Sequence, residues 1–166
     1  MDLHLTGKVV IVTGGGAGIG GAISEVLADE GAVPAIIARR APDEGFMARL
    51  TAVCPAAGWV RADLTRDADC AAAVQAVRAR WGRIDALVNN AGTNDGVSLE
   101  QGPEAFRASL DRNLIHYFAL AHHCLPDLKA AKGAIVNISD QHPVTGEGAT
   151  PRYVEARGGQ LGLTRE

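Results

Sequence analysis

Tyr153 and Arg157 stand four residues apart in the stretch YVEARGG, a spacing that sets both on one face of a helix. If the tyrosine is an acid/base group, a fixed positive charge one turn away stabilises the tyrosinate and eases proton exchange with an alcohol or carbonyl oxygen. The guanidinium keeps that charge, yet it is planar, bulky and never deprotonated, so it cannot copy a compact ammonium in a proton relay. Reduced acid/base chemistry is therefore expected. A second stretch, TGGGAGIG from Thr13 to Gly20, offers different chemistry. Glycines permit positive φ and close backbone approach, and the free N–H groups of a helix start attract a pyrophosphate.

Such a turn binds a dinucleotide only between an apolar strand and an amphipathic helix. The pattern supplies both: a strand over Lys8 to Thr13, then a helix from about Gly18 to Asp29 with Ile19, Ile23, Val26 and Leu27 on one face. Strands follow at Val33 to Ala38, with Pro34 tolerable at the strand's beginning, at Trp59 to Arg61, Ala86 to Asn89 and Ala134 to Ile138. Helices fall between them, around Asp43 to Val53, at Asp67 to Trp81, and as one long helix from Pro103 to about Cys124 with proline in its first turn. This alternation predicts an α/β protein, a parallel sheet covered on both faces by right-handed crossovers. Helical character from Tyr153 to Glu166 has no stop signal after it, which predicts a helix cut partway and the fifth strand left at an uncovered sheet edge.

Three motifs in this order resemble the short-chain dehydrogenases/reductases over the whole chain. Thr13-Gly14-xxx-Gly18-Ile19-Gly20 is similar to their TGxxxGxG, Asp63-Leu64 stands where they contact adenine, and Asn89-Asn90-Ala91-Gly92 matches NNAG after the fourth strand. The resemblance implies a Rossmann-like doubly wound sheet in three α/β/α layers, strand order beginning 3-2-1-4-5, as a single NAD(P)-binding domain over residues 1–166. Because longer members continue with further strands, it also implies a chain truncated at its C-terminus. Gly14, Gly18, Ile19 and Gly20 would then line the pyrophosphate, Asp63 and Leu64 the adenine, and Asn90, Ala91 and Gly92 the adjacent ribose. Asn89 and Asn90 also read as a turn held by side-chain amides, and both readings can hold together. The second strand ends in Ala38-Arg39-Arg40 without a carboxylate for a ribose 2′-hydroxyl, so NADP is the first choice and NAD the second, with Arg39 as the phosphate partner.

For the reacting groups the resemblance implies Tyr153 as the tyrosine, Arg157 where the family has lysine, Asp140 where it has serine, and Asn113 in DRNLIHYF as the asparagine supporting a proton-relay water. Asp140 is the disturbing member. An ionised carboxylate donates no hydrogen bond, and about 4 Å from an oxyanion at an effective dielectric near 20 it repels by roughly 4 kcal/mol, about three decades in rate. Two arrangements relieve this: Ser139 turned inward by a bulge or register slip, or burial that keeps Asp140 protonated. Two functions follow. One is hydride exchange between a nicotinamide and an alcohol or carbonyl, with a sugar hydroxyl as first substrate because VTGEGATPRY and GGQLGLTRE look like the bacterial L-fucose dehydrogenases. The alternative is a catalytically impaired nucleotide-binding fragment or pseudoenzyme.

Composition narrows the partners. A net charge of -3 with 21% charged residues attracts neither nucleic acid nor an anionic membrane surface. Cys54, Cys70 and Cys124 form no metal-like or disulfide-like pattern and read as packing residues of a reduced protein. With no leader pattern or membrane-length apolar run, a cytoplasmic location is expected. His122-His123, His142 near Asp140, and Asp2 with His4 are weak as metal ligands, so no metal is expected. The resemblance further implies a homo-oligomer built through the helices that carry Asn113 and Tyr153.

Overall fold

The computed structural model describes residues 2–141, 145 and 151–165; the side chains of 151–155 lie outside the described residues. Strands β1 (Val9–Thr13), β2 (Val33–Ala38), β3 (Gly58–Arg61), β4 (Ala86–Asn89) and β5 (Ala134–Asn137) form one sheet in the order β3-β2-β1-β4-β5. Every pairing is parallel. The order is the one the resemblance implies. All five residues of VVIVT are buried, as a central strand covered on both faces requires.

Helices α1 (Gly18–Asp29) and α2 (Glu44–Val53) cover one face, where Ile36, Phe46 and Leu50 pack together and Ile23 and Leu27 lie against Val10 and Val12. Helices α3 (Asp67–Trp81) and α5 (His116–Ala131) cover the other, over a core of Ile11, Val74, Val77, Leu87, Leu120 and Leu128. Cys70 and Cys124 belong to this core, where burial pushes their thiols up to about 11 and about 12. Among the described residues no helix is long and apolar enough to cross a membrane.

Two expectations need correction. The apolar face read for α1 packs only in part: Ile23 and Leu27 lie against the sheet, but Ile19 and Val26 are 67% and 59% exposed, and the fully buried residues are Gly20, Gly21, Ser24 and Ala28. Small side chains win there because they let the helix start lie close to the sheet, with Ser24 Oγ donating to the carbonyls of Gly15 and Gly20 (2.9 and 3.0 Å). The long helix is continuous but not uniformly α-helical. It runs as α4 (Gly102–Leu110), a π-helical turn at Asp111–Ile115, and α5, which continues through Pro126 to Ala131. The wider turn inserts one extra residue and carries Asn113 inward to full burial.

The final helix α6 (Pro151–Arg165) packs on α4 and the π turn, burying Ala156 and Gln160. It reaches β5 through Thr164, whose Oγ1 accepts from Asn137 Nδ2 at 2.9 Å, while Ala134, Ile135 and Val136 stay exposed.

At the opposite end of the sheet from the strand C-termini, Asp85 ties the start of β1 to the turn before β4. It is 6% exposed and accepts from the Val9 N–H at 2.9 Å, from Arg83 Nε at 2.7 Å, and pairs with Lys8 Nζ at 3.4 Å. Burial pushes its carboxyl pKa up, but Arg83, the Val9 N–H and Lys8 outweigh burial and hold it below the usual carboxylate range. A depressed carboxyl gives stability that is present above the unfolded value near 4 and is lost as pH falls through the folded value. Asp85→Ala should cost about 2 to 3 kcal/mol in urea unfolding at pH 7, and the variant should lose the part of the acid-side stability slope that the wild-type carboxyl contributes.

Candidate functional site

The C-terminal ends of β1, β4 and β5 open onto one cleft of about 480 Å³. Between β1 and β4 the strand order reverses, the position where open α/β sheets leave a crevice. One wall is the glycine turn: Gly14 (φ +64°) and Gly18 (φ +52°) take left-handed backbone that other residues avoid. Gly20 has no room for a side chain, since a Cβ there would meet the Gly14 carbonyl oxygen and the Asn90 amide nitrogen. Thr13 Oγ1 accepts from the N–H groups of Asn90 (2.8 Å) and Ala91 (2.9 Å), and Asn90 Nδ2 returns a bond to the Thr13 carbonyl (2.9 Å). Asn90 thus stabilises the turn through its amide, as one reading of the sequence expects.

Arg39 and Asp63 border the same cleft at the ends of β2 and β3. Hydrogen bonds from the Thr65 hydroxyl (2.9 Å) and Thr65 N–H (3.2 Å), with the charges of Arg39 and Arg66, hold the Asp63 carboxyl below its ordinary value.

At the other end stand Ile138, Ser139, Asp140 and Arg157, with Arg112 and His116 from the π turn and α5. Arg157 Nη1 donates to the Ile138 carbonyl (2.7 Å), Tyr117 Oη (3.1 Å) and Gln160 Oε1 (3.1 Å). Its Nε lies 3.9 Å from Asp140 Oδ2, an ion-pair distance, with the two side chains 8% and 28% exposed. The carboxylate that the sequence sets against an oxyanion therefore has a counter-charge beside it. Ser139 and Asp140 both border the cleft, because β5 ends at Asn137 and strand alternation no longer separates them.

Of the residues singled out in the sequence, Gly14, Ile19, Gly20, Arg39, Asp63, Leu64, Asn90, Ala91, Gly92, Asp140 and Arg157 border this cleft. Gly18 and Asn113 do not. Asn113 lies behind the wall, accepting from the Thr93 N–H (2.7 Å) and donating to the Ser109 carbonyl (3.1 Å), while its own carbonyl accepts from Gln160 Nε2 (2.6 Å). Gly92 joins the two groups, since a Cβ there would lie 2.9 Å from Arg157 Nη2 and 3.1 Å from Asn113 Oδ1. Tyr153 lies in the first turn of α6 and its side chain is outside the described residues, as is His142 entirely. Arg112 and His116 are the additions that the sequence reading lacks. His116 stands three residues after Asn113, a helical-face spacing that would have found it, whereas Arg112, adjacent to Asn113, carries no such signal.

Arg112 grips Asp95 in the loop after β4 (3.1 and 2.8 Å). The His116 ring is 2% exposed; burial, helped by the charge of Arg157 and opposed by the Arg112 carbonyl, pushes its pKa down to about 4. His122 stacks on Phe118, His123 bonds Asp67 (2.9 Å), and His4 pairs with Asp2 on the surface (3.1 Å). Among the described residues no group of three or more His, Cys, Asp or Glu could hold a metal ion.

The family model described as short chain dehydrogenase matches residues 8–166. L-fucose dehydrogenase of Bos taurus is 32% identical over 167 residues, an alignment covering 99% of this chain and 61% of that protein. The chain thus spans about three fifths of that relative's length. The crystal structure of Cj0485 dehydrogenase superposes with a TM-score of 0.95 at 36% identity, covering 99% of this chain and 64% of that one. NADH-dependent reductase A1-R′, solved with NAD, gives 0.91 at 27%, covering 99% and 73%. Each of these is a dehydrogenase or reductase by name, so a binding module without chemistry finds no support in them.

The close approach at Gly20 is directly testable. Gly20→Ala should lower stability by about 1 to 3 kcal/mol through overpacking against backbone that cannot retreat, and hydrogen exchange should show faster opening at the Asn90 and Ala91 amides.

Proposed function

The chain belongs to the short chain dehydrogenase family, and on that premise we propose that it is an oxidoreductase exchanging a hydride between a nicotinamide coenzyme and an alcohol or carbonyl carbon. The reading rests on one observation: a single cleft runs from a glycine turn with no room for a Cβ, past Arg39 and Asp63, to a cationic end at Arg157. The residues present fit a dinucleotide. Gly14, Gly18, Ile19 and Gly20 would hold the pyrophosphate against the start of α1, Asp63 and Leu64 the adenine, and Asn90, Ala91 and Gly92 the adjoining ribose. NADP is the first choice and NAD the second, because β2 ends in Arg39 without a carboxylate of its own.

A bound nicotinamide supplies the two-electron donor or acceptor. The proton belongs to Tyr153, one turn before Arg157 on α6, which takes it from the substrate hydroxyl in oxidation and returns it in reduction. Arg157 favours the tyrosinate, and Asp140, balanced by the same guanidinium, accepts hydrogen bonds from hydroxyl groups. A sugar hydroxyl is the first substrate choice, in keeping with the L-fucose dehydrogenase relative. Fluorescence titration should show NADPH binding tighter than NADH, with Arg39→Ala erasing about tenfold of that preference. Turnover of L-fucose should fall by at least about a hundredfold in Tyr153→Phe. Coenzyme binding with turnover unaffected by Tyr153→Phe would defeat the proton assignment.

Ile115, Phe118 and Leu125 form an exposed apolar row on the π turn and α5, 50%, 63% and 42% exposed, and favour a homo-oligomer through this face. Light scattering should find an oligomer that Phe118→Asp shifts to monomer; a wild-type monomer at micromolar concentration excludes it.

A further inference from the structure

His116 is the buried group of the cleft for which the chemistry above has no use. His116 lines the cleft together with Arg112, Ser139 and Asp140, and its Nε2 lies 3.0 Å from the Arg112 carbonyl oxygen. A carbonyl only accepts, so Nε2 carries the proton and Nδ1 presents a bare lone pair. A second proton is disfavoured by burial and by the neighbouring Arg157, which keeps the ring neutral at pH 7. The edge of Tyr117 packs against it, with ring centroids 4.9 Å apart. Among the described residues Nδ1 has no hydrogen-bond partner, and the same holds for Ser139 Oγ on the same cleft. Buried polar atoms are ordinarily paired, so two unmet ones on one cleft wall mark where a ligand completes the set.

We infer that His116 Nδ1 is a specificity-determining acceptor, taking a hydrogen bond from a substrate hydroxyl other than the reacting one and so selecting a polyhydroxylated ligand over a simple alcohol. The inference rests on the dehydrogenase reading. It asks for a donor where a carbonyl or ether oxygen would leave the lone pair unmatched, and a site built to bond a hydroxyl rejects an analogue lacking it. Ser139, able to donate or accept, serves a neighbouring oxygen of the same ligand.

The test uses the full chain in two steps. Fluorescence titration with NADPH and NADH comes first; if neither binds, the dehydrogenase reading falls and this inference with it. With coenzyme bound, the ¹⁵N resonance of His116 Nδ1 is followed as L-fucose is added. A shift on sugar addition, absent with coenzyme alone and with propan-2-ol, is the expected result. A shift complete on coenzyme alone assigns the donor to the coenzyme's ribose and overturns the proposal, as does no shift with saturating sugar. Among variants, His116→Asn keeps an acceptor near Nδ1, His116→Gln keeps only the contact to the Arg112 carbonyl, and His116→Phe keeps neither. The KM for L-fucose should rise about tenfold in the glutamine and phenylalanine variants and stay within about threefold of wild type in the asparagine variant. Equal KM values in wild type and His116→Phe would overturn it while leaving the dehydrogenase reading intact.

Discussion

The cleft depends on one hydroxyl. Thr13 Oγ1 takes the N–H groups of Asn90 and Ala91 while donating to the Val88 carbonyl, and the Thr13 carbonyl takes the Asn90 amide. Four bonds tie the residue that opens the glycine turn to the loop that leaves β4, across the point where strand order reverses. Valine would match the shape but leave two N–H groups unmet, each worth about 1 to 3 kcal/mol when buried. The clasp works only because β1 and β4 are in parallel register with Val12 opposite Val88, which brings both strand ends to the same level. Everything that faces the cleft from the turn or the loop inherits its position from this contact.

At the other end of the cleft, a guanidinium does what an ammonium could not. Nη1 of Arg157 ties α6 to the residue after β5 and to Tyr117 on α5, while Nε stays on the side of Asp140. The roughly 4 kcal/mol that an isolated carboxylate would add to an oxyanion barrier is met by an attraction of the same order at 3.9 Å. Asp140 and Arg157 are thus intelligible as a pair, each departure from the family pattern supplying the partner the other needs. The arginine is as much an anchor for α6 as a counter-charge for Asp140.

Much of the fold was legible because VVIVT is an unbroken apolar run, as a strand buried on both faces requires, and because Val74, Val77 and Trp81 are spaced along one side of the helix at Asp67–Trp81. The glycine turn was legible too, since backbone chemistry there depends on residue type alone. The packing face of α1 was legible only in part. Hydrophobic periodicity assigns the burial to Ile19, Ile23, Val26 and Leu27, of which Ile23 and Leu27 pack, while at the helix start the constraint that wins is close approach, which Gly20, Gly21 and Ser24 allow. The π turn was hidden because an inserted residue leaves no mark in composition, yet it moves Asn113 behind the wall and brings His116 to it. The counter-charge of Asp140 was not legible either, because Arg157 meets it only through the packing of α6.

The two ends of the cleft differ in what recognises a ligand, and that difference explains what can be read from each. The glycine-turn end is built from backbone, with glycines that leave room, so its shape follows from residue type alone. The other end is built from side chains drawn from the segment after β5, from α5, α6 and the π turn, held by bonds such as Asn113 to Thr93 and Arg112 to Asp95. Its chemistry is that of a neutral imidazole, a hydroxyl and a balanced ion pair, a set that can meet several hydroxyl groups at once. The shape of this end therefore depends on contacts between distant segments, and a change in any one of them, such as the helix register at the π turn, would re-aim the rest.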